Sequence, residues 1–158
     1  MPRRTLAGLI IRPAAHADAA VASAQRHSNF TMTHTLTVFS GATTLPSHDH
    51  PRPERLVSAA NPLRTTWNHY DHAGVSAGLW ACEPGAWRIA FAAGTDEFFH
   101  VIEGRIRITD AAGTVREFGP GDACVIPGGF TGLFEVLEAV RKHYVFVERP
   151  TPATGPAA

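Results

Sequence analysis

The sequence predicts an all-β domain closed on itself, and three observations carry that expectation. From Arg64 onward, short β-type runs alternate with joints rich in Gly, Pro and Asp, the punctuation of a sandwich or barrel. Within "RIRITD", Ile106 and Ile108 alternate with Arg105, Arg107 and Thr109, so one face is buried and the other wet. About seven to nine such runs follow one another with no convincing helix between them, which favours antiparallel pairing that leaves few edges exposed. A jelly roll or small barrel satisfies all three.

Taken in order, the chain opens with an alanine-rich stretch over residues 1–29, where "AAHADAAVASAQRH" has helical propensity but little apolar surface to bury. Arg3, Arg4, Arg12 and Arg26 against Asp18 give this stretch a loose likeness to a transit peptide. It is read as a flexible leader, or as an upstream start at Met1 in place of Met32. Residues 30–62 form a Pro- and His-containing approach segment with room for one or two edge strands. Residues 63–149 hold the β domain, and 150–158, "PTPATGPAA", read as a disordered tail.

Inside the domain the strands are "VSAGLWACE", "WRIAFA", "EFFHVIE", "RIRITD", "VREF", "DACVIP", "GLFEVLE" and "KHYVFVE". "EPGA", "GPGD" and "PGGFT" supply turn residues between them, and "DAAGT" folds residues 104–118 into a hairpin. In "VRKHYVFVE", Lys142, Tyr144 and Phe146 share one face, while Arg141, His143 and Val145 share the other.

Composition excludes several functions. A chain of 158 residues makes one domain, and 14 basic residues against 14 acidic ones give no overall field for nucleic acid or an anionic membrane. No apolar run approaches the roughly 18 to 20 residues of a spanning helix. Cys82 and Cys124 stand far apart without a C-x-x-C pair, which argues against a zinc knuckle, a thioredoxin-type site and a disulfide scaffold; a reducing cytoplasm is the expected home. Lys142 is the only lysine, a bias read at this level as compositional.

"SHDHPRPERL", residues 47–56, sets His48, His50 and Glu54 at a spacing that imitates a metal motif. Position 61, where a turn glycine would complete the motif, is Asn61, and Pro46, Pro51 and Pro53 lack the N–H groups a central strand needs. The segment is expected to be an exposed approach, its imidazoles solvated, with the alternative that it folds over a barrel mouth and lends a ligand.

"DEFFHVIEGRIRITDAAGTVREFGPGDACVIPGGFTG", residues 96–132, resembles the two motifs of the cupin superfamily. Glu97 and Gly104 match the end of the first motif, and Gly121, Pro127 and Gly129 match the second up to its histidine. "NPLRTTWNHY", "GLWACEPGAW" and "PGGFTGLFEVLEAVRKHY" are more specifically similar to small single-domain cupins grouped with the cupin domain of (S)-ureidoglycine aminohydrolase, over about residues 60–147. The resemblance implies a double-stranded β-helix, the RmlC-like jelly roll, and in its metal-bearing members a cage of three histidines and one glutamate. Here the first two histidine slots fall within Ala90, Phe91, Ala92 and Ala93, and the third is Gly132. No metal is expected at the usual positions, since methyl and phenyl groups offer no lone pair, and no cofactor is predicted. A divalent ion would need atypical ligands such as Glu97, Cys82, His69 or Tyr144 converging from different strands.

The resemblance places Glu97 inside the barrel, where burial without a metal favours its neutral form and suits it to general acid–base work. A glutamate merely satisfied by a tyrosine, arginine or backbone amide is the competing expectation. Tyr144 is a candidate to bond a ligand or Glu97, and Lys142 is expected at the rim. Trp80, Cys82, Trp87, Phe99, Phe130 and Phe134 are candidate ligand-binding residues, an aromatic wall around one carboxylate. Cys82 and Cys124 lack an adjacent basic group to activate a thiolate. His100, three residues after Glu97, is expected on the outer face. The sequence therefore suggests a cupin binding a small organic ligand, either an enzyme using Glu97 or a non-catalytic metabolite binder or sensor, or else a structural dimer module, with a homodimer as the expected partner state.

Overall fold

The computed structural model describes residues 35–39 and 44–150. The expected leader and nearly all of the expected tail lie outside the described residues. Eight strands run in chain order: β1 Ser47–Asp49, β2 Arg64–His72, β3 Val75–Cys82, β4 Gly85–Ala90, β5 Thr95–Asp110, β6 Val115–Phe118, β7 Ala123–Ile126 and β8 Thr131–Glu148. The helical content of the described residues is one 3-10 turn, Pro53–Arg55. No helix among them is long and apolar enough to cross a membrane.

Every pairing is antiparallel, in the order β1-β2-β3-β8-β5-β6, with β4 on β8 and β7 on β5. β5 and β8 pair along most of their length and serve both halves of the molecule. The C-terminal half of β8 pairs with β3, and its N-terminal half with β4. In the same way β5 pairs with β7 near its start and with β6 near its end. Two layers built on shared strands make the jelly roll, and the residues alternating inward between them form its core: Cys82, Trp87, Phe99, Val101, Ile106, Ile108, Ile126, Phe134, Val136 and Val140.

Two of the sequence boundaries move. "EFFHVIE" and "RIRITD" are one strand, β5, and "GLFEVLE" and "KHYVFVE" are likewise one strand, β8. Gly104, expected to turn the chain, instead sits at φ +81° where the β5–β8 register shifts between Val101 and Ile106, so the strand bulges and bends instead of stopping. A Cβ at Gly104 would collide with the Ala139 carbonyl oxygen, so glycine is required both by conformation and by space. The 104–118 hairpin forms, with Asp110 Oδ1 accepting from the Ala112 and Thr114 N–H groups to hold its turn.

"SHDHPRPE" folds as the short edge strand β1 followed by the 3-10 turn. His48 Nδ1 lies 3.1 Å from Thr65 Oγ1 and His50 Nδ1 lies 3.1 Å from Pro62 O, so each imidazole is engaged by β2 or its approach and neither faces the interior.

Candidate functional site

Burial selects the site. Among the described residues the buried charged groups are Glu97, on β5, and Lys142, on β8, residues 6% and 3% exposed. Lys142 Nζ donates to Glu97 Oε1 at 2.6 Å, a charge-assisted contact. The register explains the reach. Lys142 pairs across from Trp80 on one side and Val101 on the other, while Glu97 stands four residues back along β5. The lysine stem must therefore run along the strand, over the Phe99 ring, to bring its ammonium to the carboxylate.

Three rings surround that ammonium: the Phe99 centroid is 4.6 Å from Nζ, Trp80 4.8 Å and Phe134 5.4 Å. Negative ring faces and one carboxylate replace the water the ammonium has lost. Trp87 packs behind them with its ring tilted, 5.1 Å from Phe134 and 6.5 Å from Trp80. Phe130 packs against the core from its margin.

The expected rim position for Lys142 is thus corrected. Strict alternation turns it inward with Phe134, Val136, Val140 and Tyr144, and its four-carbon stem is long enough to place the charge deep inside. The partner of Glu97 is corrected with it: neither a tyrosine, an arginine nor a backbone amide, but this lysine. Tyr144 does not reach Glu97. With the Asn68 amide turned so that Nδ2 donates, Asn68 bonds Tyr144 Oη at 2.9 Å, Tyr70 O at 3.0 Å and Ala77 O at 3.3 Å, which ties Tyr144 to the β2 bulge. Burial, then the charges of Asp71 and Glu97, push the Tyr144 phenol well above its usual range, so it stays neutral.

The thiols are inert by the same logic. Burial pushes Cys82 up to about 12, with Arg64 and Lys142 opposing, and its Sγ donates to Glu83 O at 3.2 Å. Burial raises Cys124 as well, assisted by the Glu97 charge. Both are free, and neither is a thiolate at neutral pH.

The residues present do not fit the cupin metal cage. A Cβ at Gly132 would collide with the Thr109 carbonyl oxygen and lie 2.9 Å from Phe130 Cε1, so the slot of the third histidine has no room for any side chain. Phe91 stacks on Phe146, 6.2 Å between centroids, in the region of the first two slots. Among the described residues no group of three or more His, Cys, Asp or Glu side chains is arranged to hold a metal. His69, the remaining atypical donor, lies away from the interior: it stacks on Phe39 at 5.1 Å and bonds Thr44 Oγ1 through Nδ1 at 2.9 Å. His100 faces outward and stacks on His143, 6.1 Å apart, across β5 and β8.

An open hollow of about 520 Å³ lies elsewhere, between the ends of β4, β5 and β8 beside Arg55 and Arg88. It contains no buried charged group, which ranks it below the interior pair. Sequence reasoning singled out Glu97 and the aromatic residues, placed Lys142 at the rim and did not name Asn68. The signal for Lys142 was present: the other thirteen of the fourteen basic residues are arginines. Its compact ammonium on a flexible stem is the exception in a chain that otherwise carries its positive charge on planar guanidinium groups.

Comparison with known proteins agrees with the architecture. Residues 71–144 match the model of the EutQ-like cupin domain. A protein of unknown function of the DUF861 family from Pseudomonas syringae pv. tomato superposes with a TM-score of 0.59 at 23% identity, covering 67% of this chain; this chain spans only 45% of that protein. The EutQ protein of Clostridium difficile gives a TM-score of 0.52 at 17% identity, over 69% of this chain and 98% of its own. A putative ethanolamine utilization protein Q from Salmonella typhimurium gives 0.51 at 19% identity, over 69% of this chain and all of its own. No curated protein matches the chain. The strand order, the shared long strands and the match over residues 71–144 together make this fold a cupin jelly roll, similar in sequence to the EutQ-like cupin domain.

Proposed function

We propose that the protein binds a small organic molecule inside the barrel, with the Lys142–Glu97 pair as its polar anchor and Trp80, Phe99 and Phe134 as its walls. The buried pair is the observation that carries this reading. As scaffold it is a poor investment, because well-packed apolar residues of similar volume commonly stabilise a core as well or better. As a recognition device it supplies a donor and an acceptor in a dry, aromatic setting, where each polar contact discriminates strongly. A ligand with a carbonyl or carboxylate oxygen suits the ammonium, and a donor group suits the free oxygen of Glu97. The likeness of the flanking sequence to the ureidoglycine aminohydrolase cupin domain adds ureides to the ligands worth testing.

The 2.6 Å contact favours one further reading, that the pair also moves a proton during turnover. The same proposal includes a homodimer: Phe98 and Val125, 42% and 57% exposed, stand opposite each other on β5 and β7 and form an apolar patch on the outer face.

The test is a panel of ureides, 2-oxo acids and amino acids, read by equilibrium dialysis and thermal shift. The variant for comparison is Glu97→Leu with Lys142→Met, which keeps the core filled. A ligand that binds the wild-type chain and not this variant is the expected result. Equal binding to both would place the ligand outside the barrel and end the reading.

A further inference from the structure

We propose that Lys142 captures carbonyl compounds covalently, as an imine on Nζ, with Glu97 as the proton carrier. The inference rests on the interior binding site proposed above and names its ligand class: aldehydes and 2-oxo acids. Three observations point to it. Lys142 is the only lysine in the chain, and it is buried. Its neighbours are aromatic rings at 4.6 to 5.4 Å, an apolar setting that leaves the Glu97 carboxylate as its hydrogen-bond partner. Glu97 Oε1 is 2.6 Å from Nζ, within reach to take a proton from it and return it.

The chemistry balances without a co-reactant. The ammonium gives a proton to the Glu97 carboxylate, and the neutral amine's lone pair forms a bond to the carbonyl carbon while the carbonyl π electrons move to oxygen. That oxygen and the nitrogen exchange protons through Glu97, giving a neutral carbinolamine. The Glu97 acid then protonates the hydroxyl, which leaves as water as the C–N π bond forms, yielding the protonated imine paired with the regenerated Glu97 carboxylate. Desolvation and a neighbouring base are the established means by which proteins make a lysine nucleophilic. Trp80, Phe99 and Phe134 would enclose the adduct, and water excluded by them would no longer be present to hydrolyse it.

A single lysine makes the test unambiguous. The full-length chain is incubated with glyoxylate and sodium cyanoborohydride, which reduces an imine to a stable secondary amine, and the site is mapped by peptide mass spectrometry. The expected result is an adduct on the peptide containing Lys142, formed about a hundredfold more slowly or worse in Glu97→Gln. Lys142→Arg keeps the cation, so it should retain reversible binding of glyoxylate in dialysis while forming no interior adduct. Labelling confined to the α-amino group, with glyoxylate still bound reversibly, would overturn covalent capture and leave the binding site intact. Labelling of Lys142 at the same rate in Glu97→Gln would overturn the role given to Glu97. Neither adduct nor binding by glyoxylate would overturn the ligand class, while any other ligand lost only in the Glu97→Leu, Lys142→Met double variant would keep the site.

Discussion

At the scale of the residue, the Lys142–Glu97 pair makes opposite predictions for single and double substitutions. Lys142→Ala strands a carboxylate in an apolar interior and is expected to cost about 3 to 5 kcal/mol in urea unfolding. Glu97→Leu with Lys142→Met removes both charges and should fall between neutral and about 4 kcal/mol more stable than the wild type, while losing interior binding. A double variant as unstable as the single one would show that the pair supports the fold rather than a ligand. Cys82 gives a second residue-scale test. Its thiol is pushed up from 9.0 to about 12 by burial, so the folded state holds a proton that the unfolded chain releases earlier. The stability this contributes is complete below pH 9.0 and is lost as the pH rises towards about 12. Alkylation of native protein at pH 8 should accordingly modify partly exposed Cys124 before Cys82, as peptide mapping will show. Glu97 was legible in the sequence because a motif fixed its position and its burial. Lys142 was not, because "KHYVFVE" reads as a strand that starts at Lys142, where a lysine is ordinarily solvated, and its place inside a longer strand emerges only once β8 runs through from Thr131 to Glu148.

At the scale of the element, β5 and β8 carry the argument, and each was read as two strands. A glycine at a bulge and a glycine at a turn look the same in sequence, since both require a positive φ. What separates them is whether a partner strand continues alongside, and β8 continues past Gly104. Gly104→Ala is therefore expected to destabilise the chain by about 1 to 3 kcal/mol, from left-handed strain compounded by the collision with the Ala139 carbonyl. Equilibrium urea unfolding checks it, and a change under about 0.5 kcal/mol, the range of an ordinary surface substitution, would contradict the collision. The outward face of the same two strands holds the His100–His143 stack. Burial, then the charges of His100, Arg141 and His69, hold His143 below 6.5, so its native state favours the neutral ring. Stability from this source is present above pH 6.5 and is lost as the pH falls through the lowered value. His143→Phe should flatten the acid limb of the stability profile, measured as melting temperature against pH.

At the scale of the whole molecule, the fold class was legible and the assembly of its interior was only partly so. Alternation and turn chemistry are local, and they were enough to identify an antiparallel barrel and most of its inward positions. Which inward side chains meet is decided by the pairing of strands distant in sequence: Glu97 and Lys142 stand 45 residues apart, Tyr144 and Asn68 76. The proposed association follows the same rule, because Phe98 and Val125 become one patch only once β5 and β7 pair. Phe98→Asp should convert the proposed homodimer to a monomer in sedimentation without loss of fold, and a chain already monomeric before substitution would remove that part of the proposal. One consequence of the interior arrangement reaches beyond stability. Because the positive charge at the barrel's centre is tethered to the polypeptide, it comes at full occupancy with every copy translated, and no chelator can strip it out.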